Sequence, residues 1–329
     1  MSEIALSRVE AWGEAKGIPA LALAEQDYRL TDVLARICTD EVLRTRLAFK
    51  GGTAINKLHL GTSGRLSVDL DFNLLGTRDS VQGARGEIRA RVVKALREHD
   101  DTMTISHDHA WESLRATGNY RPLSGENPMK MKVEVSMVER LPIAGTLERP
   151  LATVGGGTVD VPTYTLEELL STKFRALYRR KKGRDLYDMD QSLPLIRNPV
   201  LMRRMAVFHF YRAGILFQAR EVADNIRAKL RDERFVGESA LYLRGGVEWD
   251  GHLAADRFFE RYAFLFETSP AEEEFLRIAG RLLGKDGTPV ERAPETGDRP
   301  LSRLFAGCAG VTPEALGVGL DEIKVRTRR

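Results

Sequence analysis

The sequence contains very little cysteine, with only Cys38 and Cys308 in 329 residues. They stand far apart and form no C-x-x-C pair, which excludes a disulfide framework and a thiolate zinc site. No apolar run approaches the ~20 residues that a membrane helix needs. The first residues, Met1 to Ile4, carry an early acid and predict no signal peptide. We therefore expect a protein of the reducing cytoplasm that does not enter a membrane.

Two further features are scarce or missing. The formal net charge is only +3, so the overall charge does not predict a nucleic-acid partner. Only a local cluster of positive charge could indicate one. The Walker A pattern G-x-x-x-x-G-K-[ST] is absent, which excludes a P-loop nucleotide site. In contrast, the 43% hydrophobic content and the chain length predict about two domains, each with a core.

The segment from Leu66 to Leu74 alternates strictly between apolar and polar residues. Because strand side chains alternate between faces, Asp69 and Asp71 point to one face and the apolar residues to the other. Two close carboxylates repel each other, and a divalent cation removes that cost. Mg²⁺ suits such an open pair, since it takes one or two carboxylates beside water and phosphates. The pattern predicts a metal site; the alternative is a solvated acidic strand face.

A second alternating segment runs from Met129 to Met137. If it lies beside the strand of Asp69 and Asp71, Glu134 becomes a third acid that binds metal or accepts a proton. The alternative is an exposed glutamate on an edge strand. The triplet His107-Asp108-His109 has the spacing of metal ligands but no third partner, and we interpret it as surface.

The glycine turn Gly51-Gly52-Thr53 stands between a short apolar strand, residues 47–49, and a predicted helix, residues 53–60. Glycines let backbone N–H groups approach phosphate oxygens, and a helix N-terminus adds partial positive charge. The threonine hydroxyl can cap the helix or bond a phosphate. The alternative is a plain turn between strand and helix.

A basic helix begins at Thr165, where Thr165-Leu166-Glu167-Glu168 forms a capping box. Lys173 falls within its apolar stripe, where an ammonium is costly unless it finds a partner. A nucleotide phosphate would be such a partner; the alternative is that only the lysine stem is buried. Asp185 and Asp188 follow the basic run and are three residues apart. They either hold its arginines in place or reach the active site. We favour the structural role for Asp188 and leave Asp185 open.

The same segment carries the densest positive charge in the chain, seven basic residues without an acid between Lys173 and Arg184. Such a run attracts a polyanion, although a solvated helix face is the common alternative. The predicted RNA-binding residues are Arg175, Arg179, Arg180, Lys181, Lys182 and Arg184.

The pattern changes across residues 141–164, which are rich in proline and glycine and predict a loop or hairpin at a domain boundary. We predict a core domain over residues 1–160 and a helical C-terminal domain over 161–329. Helical periodicity continues from Thr165 to about residue 283. Residues 285–300 read as a polar linker, and the basic C-terminal end as a solvated tail.

Four segments together resemble the AbiEii/AbiGii-type nucleotidyltransferase toxins, which include the MenT toxins, within the DNA polymerase β-like superfamily. The segments are Lys50 to Ala54, Arg65 to Phe72, Lys173 to Arg180 and Arg184 to Asp188. The resemblance covers roughly residues 40–195, and the order and spacing of the motifs carry it.

The resemblance implies an α+β, bilobed fold, with a small mixed sheet flanked by helices and a mainly helical C-terminal lobe. It implies that Gly52 and Thr53 hold nucleotide phosphate and that Asp69 and Asp71 bind Mg²⁺, with Mn²⁺ as an alternative. Lys173 would contact the triphosphate, and Asp185 would match the family's later acid. The full set of predicted nucleotide contacts is Lys50, Gly51, Gly52, Thr53, Lys57, Arg65, Ser67 and Lys173.

The function implied is that of a toxin that transfers a nucleotide, preferably a pyrimidine, from an NTP to an RNA. The acceptor would be the tRNA 3′ end, so that translation stops, and a cognate antitoxin would neutralise the toxin. We expect a monomer. Two alternatives stay open: nucleotide transfer to a protein or small-molecule hydroxyl, and a non-catalytic RNA-binding regulatory module.

Overall fold

The structure is a computed structural model that describes residues 4–108, 110, 112–125, 127–283 and 300–312. Contacts divide the chain into two compact units. The sheet unit comprises Met1–Leu141, Thr146–Tyr164 and Leu241–Trp249. The helical unit comprises Pro142–Gly145, Thr165–Ala240 and Asp250–Arg329.

The sheet unit is built on seven strands in the order β3-β4-β5-β2-β1-β7-β6. Strand β2 lies parallel to β5 and β1 lies parallel to β7, whereas the other neighbours are antiparallel, so the sheet is mixed. The strands are β1 Leu47–Lys50, β2 Asp69–Leu74, β3 Thr104–Asp108, β4 Ser113–Tyr120, β5 Met129–Ser136, β6 Thr146–Ala152 and β7 Thr158–Tyr164.

The alternation of β2 and β5 is confirmed. Leu70 and Phe72 of β2 face the same side as Val133 and Val135 of β5, and all four are buried. The predicted strand from residue 66 begins only at Asp69. The residues before it bond to other segments instead of to a strand: the Arg65 N–H donates to a side-chain oxygen of Asn56 at 2.7 Å, and the Leu66 N–H donates to the Tyr242 carbonyl at 2.7 Å.

The helices of the sheet unit precede and interrupt the strands. The predicted helix over residues 53–60 is a single α-helical turn followed by a π-helical segment, Ile55–Leu60. Residues 82–99, whose sequence predicts an amphipathic helix, lie within a longer helix. The helices are α1 Leu6–Lys16, α2 Leu21–Thr39, α3 Glu41–Arg46, α4 Gly51–Ala54 and α5 Arg78–His99.

The helical unit has its first long helix where the capping signal predicts it. The Thr165 hydroxyl accepts from the Glu168 N–H at 3.4 Å. The Glu168 carboxylate does not complete a capping box; it accepts from the backbone N–H groups of Ile143 and Ala144. The helices are α6 Leu166–Arg179, α7 Arg184–Ser192, α8 Pro199–Arg212, α9 Ala219–Leu230, α10 Glu233–Gly237, α11 Gly251–Arg261, α12 Pro270–Leu282 and α13 Pro300–Leu304.

Aromatic rings fill the core of the helical unit. The ring centroid of Phe210 lies 5.8 Å from that of Phe174 and 5.2 Å from that of Phe217. Within the described ranges, no helix combines the length and apolar character that crossing a membrane requires. The predicted linker, apart from residue 300, and the basic C-terminal end lie outside the described residues.

Candidate active site

Three carboxylates share one face of the sheet. Asp71 of β2 pairs with Glu134 of β5, and Asp69 pairs with Lys132 two residues earlier on the same two strands. Residues directly opposite each other on neighbouring strands project to the same side. The placement on which the sequence hypothesis for Glu134 depended is therefore observed. Asp69, Asp71 and Glu134 are called the acidic face below.

Cations surround the acidic face unevenly. The Lys132 ammonium lies 3.7 Å from a carboxylate oxygen of Asp69 and 3.7 Å from one of Glu134. Glu134 also accepts from the Arg115 guanidinium at 3.0 Å. Neither Lys132 nor Arg115 was expected from the sequence at this site. Alternation alone puts Lys132 on the face of Glu134, but its contact with Asp69 depends on the pairing of two distant strands.

Asp71 is half-buried on the acidic face, like Asp69 and Glu134. Burial raises the pKa of Asp71; the positive charge of Lys50 opposes this shift, and the nearby charge of Asp69 adds to it. Lys50 lies directly opposite Asp71 on β1, but its ammonium donates to Glu139 at 3.1 Å. The carboxylate of Asp71 thus lies half-buried beside two other acids, and a bound cation would offset their repulsion.

The glycine turn is packed against the same carboxylate. Gly51 has a φ of +78°, and a Cβ built on it would lie 2.7 Å from Oδ2 of Asp71. Only glycine lets the backbone adopt this conformation so close to a carboxylate. The Thr53 hydroxyl donates to the backbone carbonyl of Asp69 at 2.6 Å, which ties the turn to β2. The glycine turn and the acid pair therefore form one local site.

The other nucleotide contacts predicted in this unit have different surroundings. Ser67 is buried, and its hydroxyl has no hydrogen-bond partner among the described residues. Arg65 is buried too, and its guanidinium donates to the Leu66 carbonyl at 2.9 Å. Lys57 is engaged elsewhere, since its ammonium donates to Asp27 at 2.7 Å and to Thr31 at 2.8 Å. The structure thus brings Lys50, but not the Lys57 ammonium, to the acidic face.

Lys173 of the helical unit finds its partners within the chain. Its ammonium lies 2.9 Å from Asp185 and 2.9 Å from Asp188, and both carboxylates are fully buried. Arg180 adds two hydrogen bonds to Asp185, at 2.8 and 2.9 Å. Burial on its own favours the neutral acid, but Lys173 and Arg180 outweigh it and hold the pKa of Asp185 well below its usual range. Lys173, Arg180, Asp185 and Asp188 are called the buried ion cluster.

The predicted RNA-binding run is only partly available to a polyanion. Arg180 is committed to Asp185, and the Arg175 guanidinium donates to the His209 carbonyl at 3.2 Å. Lys181 and Lys182 are exposed. In the same run, Arg179 is exposed and Arg184 is half-buried.

The donor set of the acidic face fits a hard divalent cation. In the part of the chain that the structure describes, no group of three or more acid, histidine or cysteine side chains is gathered to hold a metal ion alone. Mg²⁺ needs no such cage, because it takes one or two carboxylates and completes its shell with water and substrate phosphate. His107 is exposed on β3, consistent with the surface interpretation, and His109 lies outside the described residues.

A mixed sheet that carries an acid pair beside a glycine turn is the arrangement expected of a nucleotidyltransferase. The sequence profile described as nucleotidyl transferase AbiEii toxin, type IV TA system, matches residues 32–258. The chain therefore belongs to the AbiEii family of nucleotidyltransferase toxins, and membership implies a cognate antitoxin. The predicted family and fold class are confirmed.

A solved structure of another toxin shares this fold. MenT4, a nucleotidyltransferase toxin from Mycobacterium tuberculosis H37Rv, is similar at 20% identity and a TM-score of 0.60, over 83% of this chain and 94% of that one. JHP933 from Helicobacter pylori is similar at 14% identity and a TM-score of 0.46, over 74% of this chain and 91% of that one. No curated protein matches the sequence.

Proposed function

We propose that the acidic face transfers a nucleotide from an NTP, preferably a pyrimidine, to an RNA acceptor, the tRNA 3′ end, and that this transfer blocks translation. The observation that carries the proposal is the register of β2 and β5, which sets Glu134 beside Asp71 with the glycine turn against the same carboxylate. Carboxylates gathered next to a backbone that phosphate can approach are what nucleotidyl transfer requires.

Each residue of the site has a proposed part. Asp69 and Asp71 would hold Mg²⁺, with Mn²⁺ as the alternative, and the ion when bound neutralises phosphate charge and stabilises the pyrophosphate leaving group. Glu134 accepts the proton of the attacking hydroxyl, and its hydrogen bond from Arg115 fixes its orientation. The Gly51-Gly52-Thr53 backbone approaches the phosphates, and the unpartnered Ser67 hydroxyl supports a further contact.

The helical unit contributes charge in two ways. Lys173 and Asp185 are proposed contributors to transfer, and their burial in one ion cluster favours a positioning role for both. The exposed Lys181 and Lys182 support contact with an RNA backbone. We propose that the toxin works in the cytoplasm as a monomer and that its antitoxin prevents this reaction.

The test is transfer of label from each of the four NTPs to total tRNA, read on a denaturing gel. Asp71→Asn should lower transfer at least about a hundredfold, because the acid pair loses one of its charges. Asp108→Asn is the matched control, since Asp108 lies in the same cross-strand row three strands away from Asp71, with β5 and β4 between them. It should transfer label as the wild type does.

Three outcomes would contradict the proposal. A fully active Asp71→Asn variant would remove the acid pair from the mechanism. Label that enters protein or a small molecule, but not RNA, would establish the other acceptor class. RNA binding that is indifferent to Mg²⁺ and to Asp71, with no NTP consumed, would establish a non-catalytic module.

A further inference from the structure

Lys132 connects two of the three acids on the acidic face. It lies on β5 opposite Asp69, and its ammonium is 3.7 Å from a carboxylate oxygen of Asp69 and of Glu134. The ammonium therefore bridges β2 and β5. Its side chain is 36% exposed, so it can swing into solvent without leaving a buried gap.

The neighbouring cations are held more firmly than Lys132. The Lys50 ammonium donates to Glu139 at 3.1 Å, and the Arg115 guanidinium donates to Glu134 at 3.0 Å. Both distances are those of hydrogen bonds, whereas 3.7 Å lies beyond hydrogen-bond range. Lys132 is thus held by charge alone, and a half-exposed pair of that kind is weak.

We propose that Lys132 is a displaceable counter-ion that competes with a divalent cation for the acidic face and so sets the affinity of the site for metal. The inference rests on the proposed function, in which Asp69 and Asp71 hold that cation. A divalent cation bound at Asp69 has to displace the ammonium or accept its repulsion at close range. Either way, the positive charge of Lys132 lowers metal affinity.

The chain offers a closely matched control. Lys130 lies two residues earlier on β5 and on the same face, but it has no partner on β2, because that strand begins at Asp69 opposite Lys132. It is displaced along the strand by about 6.6 Å, twice the rise per residue. Its side chain is exposed. Lys130→Met and Lys132→Met therefore change the net charge equally but differ in distance from the acids.

The experiment is a Mn²⁺ titration of the whole protein without nucleotide, with the free ion followed by electron paramagnetic resonance at constant ionic strength. A charge within 4–6 Å changes the proton affinity of a carboxylate by at least about tenfold. Lys132→Met should therefore bind Mn²⁺ about tenfold more tightly than the wild type. Lys130→Met should stay within about twofold, and Lys132→Arg, which keeps the charge, should match the wild type.

Unchanged or weaker Mn²⁺ binding by Lys132→Met, or an equal gain in Lys130→Met, overturns the inference. Lys132→Gln repeats the test with a polar side chain, and thermal unfolding checks that each variant is folded. Asp71→Asn separates this failure from a failure of the proposed function. If Asp71→Asn binds Mn²⁺ as the wild type does, the proposed metal site is wrong. If it loses binding while Lys132→Met gains none, only the role of Lys132 is wrong.

Discussion

Replacing Lys173 by methionine removes the central cation of the buried ion cluster. The lysine side chain is 5% exposed and lies 2.9 Å from each of two fully buried carboxylates. At an effective dielectric constant near 20, each contact corresponds to about 6 kcal/mol of Coulomb energy before desolvation. The net cost of removing one partner of a buried pair is about 3–5 kcal/mol, because the remaining charges lose their compensation.

The assay for Lys173→Met is thermal unfolding at pH 7, followed by circular dichroism. A loss of that size should lower the midpoint by about 6–20 °C, since each kcal/mol shifts a unit of 150–250 residues by about 2–4 °C. Lys182→Met is the control, because Lys182 is exposed and removes the same charge from the same segment. Its midpoint should stay within about 2 °C of the wild type.

An unchanged midpoint in Lys173→Met would refute the structural role and return Lys173 to the role of a phosphate contact. Added NTP separates these two roles further. If the ammonium serves only Asp185 and Asp188, NTP should raise the midpoint of the variant by as much as that of the wild type. A contact with the triphosphate predicts a smaller rise in the variant.

Two more predictions concern single positions. Asp185→Asn should destabilise the protein at pH 7, because the ion cluster holds the pKa of Asp185 below its unfolded value. That stabilisation is fully present above the unfolded pKa of Asp185 and is lost as the pH falls toward the folded pKa. The free energies of unfolding of wild type and variant, measured in urea, should therefore converge below about pH 4. A difference in free energy that stays constant with pH would contradict this. Gly51→Ala should cost about 1–3 kcal/mol and suppress transfer, because its φ is positive and a Cβ would lie 2.7 Å from Oδ2 of Asp71. Gly83→Ala, in helix α5 with nothing near a built Cβ, is the control and should be slightly stabilising; equal effects at the two positions would contradict the reasoning.

The elements that carry the site could be predicted because their patterns are local. The period of two over residues 69–74 and 129–136 gives both strands and the facing of Asp69, Asp71 and Glu134. Two successive glycines predict the turn after β1. Thr165 marks the start of α6 through its cap. Each of these features depends on neighbours within a few residues.

Other features depend on contacts that no local pattern contains. Strand β3 is largely exposed and shows no apolar alternation, and in β4 the apolar row of Leu114, Ala116 and Tyr120 is interrupted by a glycine. The segment Leu241–Trp249 was predicted to be helical, but it returns to the sheet unit. There the Tyr242 carbonyl accepts from the Leu66 N–H at 2.7 Å, and the Arg244 guanidinium donates to the Gly64 carbonyl at 2.8 Å.

The anion that pairs with Lys173 could not be identified from the sequence. A lysine on an apolar helix face needs an anion, and phosphate satisfies this requirement as well as a carboxylate does. The sequence places Asp185 and Asp188 twelve and fifteen residues later, beyond the helix that carries Lys173. Only the packing of α7 against α6 brings their carboxylates to the ammonium.

The apolar side of the sheet determines the chemistry of its polar side. Leu70 and Phe72 pack beside Val133 and Val135, and burying each such side chain contributes about 1.5–3 kcal/mol. A slip of one residue in β5 would expose both valines and turn Glu134 into the core. The burial of these four side chains therefore offsets the repulsion among the acids and fixes Glu134 opposite Asp71. A substitution such as Val133→Asp should accordingly disturb transfer through the register, although the residue faces away from the site.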